Sequence, residues 1–272
     1  MSRIVPLVAA VDVAIHGAKA VGLGQALRDG LPVPAGFALC GPLVEAVASG
    51  DEAAEAEVLA AVGALPGPFA VRSSAIDEDG DASSFAGQHL TLLNVPGAAE
   101  LPEALREIWW SANSDAAITY RQKVGRFSRP SVAVVVQTLL APETAGVLFT
   151  RNPVTGADER LIEASWGLGE AVVAGLVIPD HFLLDRGGQV RERRPGYKTV
   201  AIRPVATGGT VEEELAPALV ERLCLNDAQL AELHQLALRC EAVHGPDRDL
   251  EWAFADGRLH LLQCRAITTS GS

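Results

Sequence analysis

The stretch LEWAFADGRLHLLQCR, residues 250–265, constrains the fold more than any other part of the chain. Two mostly apolar runs flank Asp256-Gly257-Arg258, and Asp-Gly in that setting is among the strongest short-range hairpin signals. Reading the turn as a three-residue loop with glycine in the left-handed position pairs Glu251 with Gln263 and Asp249 with Arg265. Side chains alternate along each strand. Asp249, Glu251, Ala253, Leu259, Leu261, Gln263 and Arg265 then share one face. Leu250, Trp252, Phe254, His260, Leu262 and Cys264 share the other. Both faces are largely apolar near the turn, so the ribbon must lie between layers. At the far end two carboxylates, an amide and a guanidinium converge; a two-residue turn would instead pair Glu251 with Leu262 and scatter them. Hard oxygens on adjacent strands suit Mg²⁺, which takes one or two protein oxygens and completes its shell with water and phosphate. The plainer reading of the same residues is an Asp249–Arg265 salt bridge capping the ribbon.

The rest of the chain can supply those layers. It has 272 residues, 49% hydrophobic and 21% charged, which excludes disorder and allows one large domain or two small ones. The net charge of −12 makes nucleic acid and anionic lipid poor partners, although a few placed cations can still hold a small anion. No apolar run approaches the roughly 20 residues that a membrane span needs. The N-terminal MSRIVPLVAAVDVAIHG is a poor secretory signal. Cys40, Cys224, Cys240 and Cys264 show no CxxC spacing, so neither a disulfide framework nor a zinc site is expected, and a cytoplasmic setting is.

Helices are expected over residues 17–30, 43–63, 99–124, 213–223 and 226–244, with GLGEAVVAG (167–175) opening as another. Short strands are expected after Pro32-Val33-Pro34 and at 68–72, 131–140, 145–150, 160–165, 181–185, 189–194 and 198–203. Residues 131–140 (SVAVVVQTLL) hold four valines and almost no polarity, as a fully buried strand requires. Residues 73–88 (SSAIDEDGDASSFAGQ) read as a loop. Strands and helices mix throughout, an α+β or α/β pattern in two lobes, with the polar turn at Pro142-Glu143 as the boundary.

Several residues stand out on spacing alone. Arg72 ends a strand and precedes a run of small and acidic residues. A cation there, beside consecutive N–H groups from Ser73 to Gly87, can cradle phosphate; the bland alternative is a surface loop held by Ser and Asp turns. Lys19 likewise sits where a turn meets a helix. Gln137 closes the valine strand, where its backbone can reach a base edge or simply cap the strand. There is no GxxxxGK[ST], and Val172 occupies the place of the third glycine in a dinucleotide fingerprint. The six histidines are scattered and no triad can be argued.

Taken together, GAKAVGLGQALRDGLPVPAGFAL, AVRSSAIDEDGDASSFAGQHLTLLNV, VAVVVQTLLAPETAGVLFTRNPVTG, IEASWGLGEAVVAGLVIPDHF and DLEWAFADGRLHLLQCRAIT resemble, in order, the nucleotide-binding domain of phosphoenolpyruvate synthase, pyruvate phosphate dikinase and rifampin phosphotransferase. The resemblance implies an α+β, two-lobed ATP-grasp fold, residues 1–139 forming one lobe and 140–272 the other, with Mg-ATP held between them. It implies that Lys19 and Arg72 contact the phosphates and that Ser83, Ser84, Phe85, Ala86, Gly87 and Gln88 form the loop covering them. Gln137, Thr138 and Leu139 match the adenine strand. Asp249, Glu251 and Gln263 match the magnesium ligands, and Arg265 joins Lys19 and Arg72 as a catalytic cation.

The pattern is departed from in four places. Ile76 replaces a threonine of the arginine motif, Ala266 replaces a proline, and the stretch between Phe37 and Arg72 is short. No histidine sits in the family's phosphohistidine motif, and the family's swivelling and substrate domains are not among these residues. The expected function is therefore an ATP-dependent phosphotransferase subunit that phosphorylates a histidine on a separate carrier protein or domain in trans, alongside an acceptor-substrate enzyme. A self-sufficient ATP-grasp kinase or ligase acting on a small molecule, and a nucleotide-binding module without turnover, are the alternatives.

Overall fold

The computed structural model describes residues 2–75, 90–123 and 131–267. The chain divides into two compact units. One comprises Met1–Gln25, Ala35–Leu139 and Val205–Gly209; the other comprises Ala26–Pro34, Leu140–Pro204 and Thr210–Ser272. Among the described residues no helix is long and apolar enough to cross a membrane.

The first unit is built on β1 (Ile4–Pro6), β2 (Gly36–Leu39), β3 (Phe69–Ala75), β4 (Thr91–Val95) and β5 (Val132–Thr138), in the order β1-β2-β5-β3-β4. Every neighbouring pair is antiparallel. The valine strand is thus central, which is why it shows no polar alternation. Val132, Val134 and Val136 join a core with helices α2 (Gly41–Ala48), α3 (Glu52–Val62) and α4 (Leu101–Ala112), while Ala133 and Val135 are buried on the opposite face. The preceding helix, α1 (Val13–Arg28), contributes its first part to this unit, and α5 (Asp115–Lys123) follows α4.

Residues 43–63, expected as one helix, form two. Gly50 takes φ +83°, and the Asp51 carboxylate accepts the N–H groups of Ala53 and Ala54 as the N-cap of α3. A left-handed glycine followed by a capping aspartate ends one helix and starts another despite the Ala- and Glu-rich composition. Strand β3 continues to Ala75, beyond the strand expected at 68–72.

The second unit carries a six-stranded antiparallel sheet of β6 (Thr144–Phe149), β7 (Arg160–Trp166), β8 (Asp180–Leu184), β9 (Val190–Arg194), β12 (Arg248–Ala255) and β13 (Arg258–Ala266), in the order β13-β12-β6-β7-β8-β9. A separate ribbon pairs β10 (Val200–Pro204) with β11 (Thr210–Glu214). The expected helix over 213–223 is replaced by the end of β11 and a single turn, α7 (Pro217–Val220). Helix-favouring glutamates yield here to cross-strand pairing with β10. The helix expected at 167–175 is short, α6 (Glu170–Val173).

Helix α8 (Asp227–His244) starts with a reciprocal capping box between Asn226 and Gln229. It buries Leu230, Leu233, His234, Leu236, Ala237 and Cys240. His234 and Glu241 meet Arg160, which is fully buried on β7. Arg160 therefore marks the sheet face that α8 covers, and alternation assigns Ile162, Ala164, Leu148, Leu250 and Trp252 to the same face.

Buried histidines are expected to make the second unit sensitive to acid. Burial pushes the His234 imidazole below its ordinary value, and the charges of Arg160 and Arg186 push it further, against Asp185 and Glu241. Burial likewise depresses His244 and His260. A depressed histidine takes up its proton more readily unfolded than folded, so its stabilising effect is present above the unfolded value of about 6.5 and is lost as pH falls. The urea midpoint of the second unit should fall between pH 7.5 and 5.5. His234→Gln should flatten that slope; an unchanged slope would show that another group sets it.

Candidate functional site

In the first unit, the helical run carrying Lys19 is interrupted at Gly17, whose φ is +77° and ψ 163°. The break lets α1 press onto strand β3. The Ser74 hydroxyl donates to the His16 carbonyl at 2.8 Å and accepts the Ala20 N–H at 3.1 Å. Ser74 thus bridges the two sides of the break and caps the helix that resumes after it. Lys19 lies in the first turn of that resumed helix, and its Nζ donates to the Ser73 carbonyl at 2.8 Å.

Along β3 the side chains of Phe69 and Val71 enter the helix-packed core, so Ala70, Arg72 and Ser74 point to the opposite face, toward α1. Gln137 pairs with Ala70 and shares that face. Lys19, Arg72 and Gln137 are each less than 10% exposed, at 9%, 8% and 3%. Two cations and an amide are rarely this deep unless they serve a partner or a ligand. The Leu139 N–H donates to the Pro68 carbonyl at 2.8 Å and the Thr138 N–H to the Ala35 carbonyl at 3.1 Å. Bonded pairs alternate in an antiparallel ladder, so the Gln137 main chain is directed at Ala70. That corrects the idea that the Gln137 backbone itself meets a base edge; its side chain is the group directed off the sheet. Residues 83–88, expected to cover the phosphates, and Ile76 lie outside the described residues.

In the second unit, the hairpin pairs Glu251 with Gln263 and Asp249 with Arg265 as expected, but by a different route. The turn has two residues, Asp256 at φ +51° and Gly257 at φ +68°, between the paired Ala255 and Arg258. Both central residues in the left-handed region define the turn type that matches strand twist and that Asp-Gly favours. The register then slips between Glu251 and Trp252, leaving Leu262 as an extra residue on β13. This β-bulge restores the pairing that a regular two-residue hairpin would destroy. It also corrects the faces near the turn. Leu259 and Leu261 lie with Phe254 and Trp252 on the α8 side, and His260 lies opposite with Ala253.

Asp249, Glu251, Gln263 and Arg265 share the face away from α8. Arg265 donates from Nε to Asp249 Oδ2 at 2.7 Å, and its Nη2 is also 2.7 Å from that oxygen. Burial pushes the Asp249 carboxyl up, Arg265 draws it back, and the charge of Glu251 adds a further upward push. Among the described residues no group of three or more His, Cys, Asp or Glu is placed to hold a metal ion. The donor set nonetheless fits Mg²⁺ rather than a transition metal: carboxylate and amide oxygens on two adjacent strands, too few for a protein cage and enough for a cation that keeps water and phosphate ligands. The salt bridge and the oxygen cluster coexist, with Arg265 fixing Asp249 from its exposed side.

Gly17 and Ser74 do not stand out by sequence spacing. The signal is present in Gly17-Ala18-Lys19, where a glycine two residues before a lysine opens a helix, but its role depends on a strand more than fifty residues away.

Residues 41–272 match the family described as pyruvate phosphate dikinase, AMP/ATP-binding domain. The chain belongs to that family. It is 43% identical over 204 residues to a probable phosphoenolpyruvate synthase of Methanothermobacter thermautotrophicus, covering 74% of this chain and 30% of the relative. It is 37% identical over 304 residues to a rifampicin phosphotransferase of a Streptomyces species, covering 96% of this chain and 35% of the relative. An uncharacterized phosphotransferase of Bacillus subtilis, YvkC, is 34% identical over 279 residues, with coverages of 94% and 34%. The chain thus spans about a third of the length of these relatives. Among solved structures, D-alanyl-alanine synthetase A of Vibrio cholerae aligns with 94% of this chain and 55% of its own at 10% identity and a TM-score of 0.41, a likeness too distant to carry an argument.

Proposed function

We propose that these residues form the ATP-grasp nucleotide-binding part of an ATP-dependent phosphotransferase, which binds Mg-ATP and phosphorylates a histidine on a separate carrier protein or domain acting in trans. The observation that carries the reading is the bulged hairpin, which sets Glu251 beside Gln263 and Asp249 beside Arg265 on one face of the sheet. Membership in an AMP/ATP-binding family supports it. Lys19 and Arg72 bind phosphate oxygens from the first unit, where burial strengthens each charge by excluding water. Gln137, with Thr138 and Leu139 beside it, orients the base. Asp249, Glu251 and Gln263 hold Mg²⁺, which supplies charge neutralisation at the phosphates when bound. Arg265 is oriented for the phosphates by its bond to Asp249. Phosphoryl transfer needs positioning and charge neutralisation more than covalent help from the protein.

Its partners would be the histidine-bearing carrier and the enzyme that passes the group to its final acceptor, in a cytoplasmic setting. The test is chromatography of nucleotides after incubation with Mg-ATP and a purified carrier. AMP, phosphate and acid-labile phosphohistidine are expected. ADP would point to direct kinase or ligase chemistry, and unconsumed ATP to a binding module.

Two variants test the residues. Arg72→Ala should weaken Mg-ATP binding by about 1.5–3 kcal/mol, the scale of a hydrogen bond to a charged group. Calorimetry giving equal affinity would remove Arg72 from the site. Glu251→Ala should abolish the magnesium dependence of binding while leaving the unfolding midpoint near that of the parent.

A further inference from the structure

The register of the second unit's sheet sets one row of side chains across five strands. It runs from Gln263 on β13 to Glu251 on β12, Val147 on β6, Glu163 on β7 and His181 on β8. The whole row lies on the face away from α8. On β7 the residues to either side, Ile162 and Ala164, are fully buried toward α8, whereas Glu163 and His181 are half-buried. Among the described residues neither the Glu163 carboxylate nor the His181 imidazole makes a side-chain hydrogen bond or ion pair. A half-buried carboxylate with no side-chain partner keeps its oxygens available to accept hydrogen bonds from a ligand.

Glu163 stands two strands from Glu251, roughly 10 Å at about 4.8 Å per strand. Apolar Val147 lies between them. At that spacing Glu163 is poorly placed to share the single cation assigned to Glu251 and Gln263. A bare carboxylate also repels triphosphate. It suits a neutral diol, whose two hydroxyls can each donate to one carboxylate oxygen, as an acidic residue accepts the ribose hydroxyl in dinucleotide folds.

The geometry points to Glu163 as the residue that binds the ribose hydroxyls of the nucleotide, with Val147 as the apolar floor between sugar and metal. This assignment rests on the function proposed above and adds to it a residue that reads the sugar. The test is calorimetry with Mg-ATP, Mg-2′-deoxy-ATP and Mg-3′-deoxy-ATP. The parent should bind ATP about tenfold or more tightly than at least one deoxy analogue. Glu163→Ala should lose that advantage and bind all three alike, with its unfolding midpoint unchanged in the absence of nucleotide. Glu163→Gln, which keeps one acceptor oxygen, should fall between.

A variant that still discriminates the sugars as the parent does would overturn the assignment. So would a Glu163→Ala protein that discriminates but has lost its magnesium dependence, because Glu163 would then be a metal ligand. A parent that binds Mg-ATP yet ignores the missing hydroxyls defeats only this inference; a parent that does not bind Mg-ATP defeats the proposed function and this inference with it.

Discussion

Asp180→Ala is expected to destabilise the second unit by about 3–5 kcal/mol, the cost of breaking a buried ion pair from one side. Asp180 and Lys198 are both fully buried. The carboxylate ties together three separate stretches of chain. Oδ1 accepts from Lys198 Nζ and, at 2.7 Å, from the Gly196 N–H; Oδ2 accepts from the Cys224 N–H at 2.7 Å. Removing it leaves a buried ammonium and two amide hydrogens without their acceptor. The converse variant should be milder. Lys198→Met leaves the carboxylate its two main-chain donors, and a loss of about 1–3 kcal/mol follows from one missing charged hydrogen bond. Urea unfolding followed by hydrogen exchange within the second unit separates the two. Equal losses, or less than about 1 kcal/mol for Asp180→Ala, would mean that water reaches the pair. Of the three lysines in the chain, Lys198 is fully buried and Lys19 is 9% exposed.

Local pattern made much of the fold legible, and long-range packing accounts for what was missed. The valine strand and the alternating hairpin announce themselves because burial on two faces, or on one, dictates residue type along the strand. The glutamates of β11 misled because a solvent-exposed ribbon imposes no hydrophobic pattern, and helix propensity was the only signal left. The hairpin gave a correct pairing from a wrong turn. Asp-Gly fits a two-residue turn, and the extra residue needed to bring Glu251 to Gln263 is the bulged Leu262, which nothing in the local sequence distinguishes from its neighbours. At the candidate site, residue type drew attention to Lys19, Arg72, Glu251 and Gln263. Glu163 was invisible as a site residue, because its importance lies in the row it shares with Glu251, and a row is a property of strand order.

Gly17→Ala should destabilise the first unit strongly, by about 3–5 kcal/mol. Two costs combine. Alanine at φ +77° is strained by about 1–3 kcal/mol wherever it occurs. Here its Cβ would also lie 2.0 Å from the Ser74 carbonyl oxygen, a main-chain atom that no side-chain rotation can move aside. Relief requires α1 to lift from β3. That movement would separate the Ser74 hydroxyl from His16 and Ala20, and Lys19 from the Ser73 carbonyl. Gly50→Ala supplies the control, since Gly50 has φ +83° but nothing within 4 Å of the methyl group that alanine would add. It should cost only the backbone strain. Ser74→Ala removes the bridge without a collision and should cost about 1–2 kcal/mol. If the proposed function holds, Gly17→Ala should also lose Mg-ATP affinity under conditions where it remains folded, while Gly50→Ala keeps it. Equal urea midpoints for the two glycine variants would show that α1 and β3 separate without penalty, and that the close approach at Gly17 does not hold Lys19 in place.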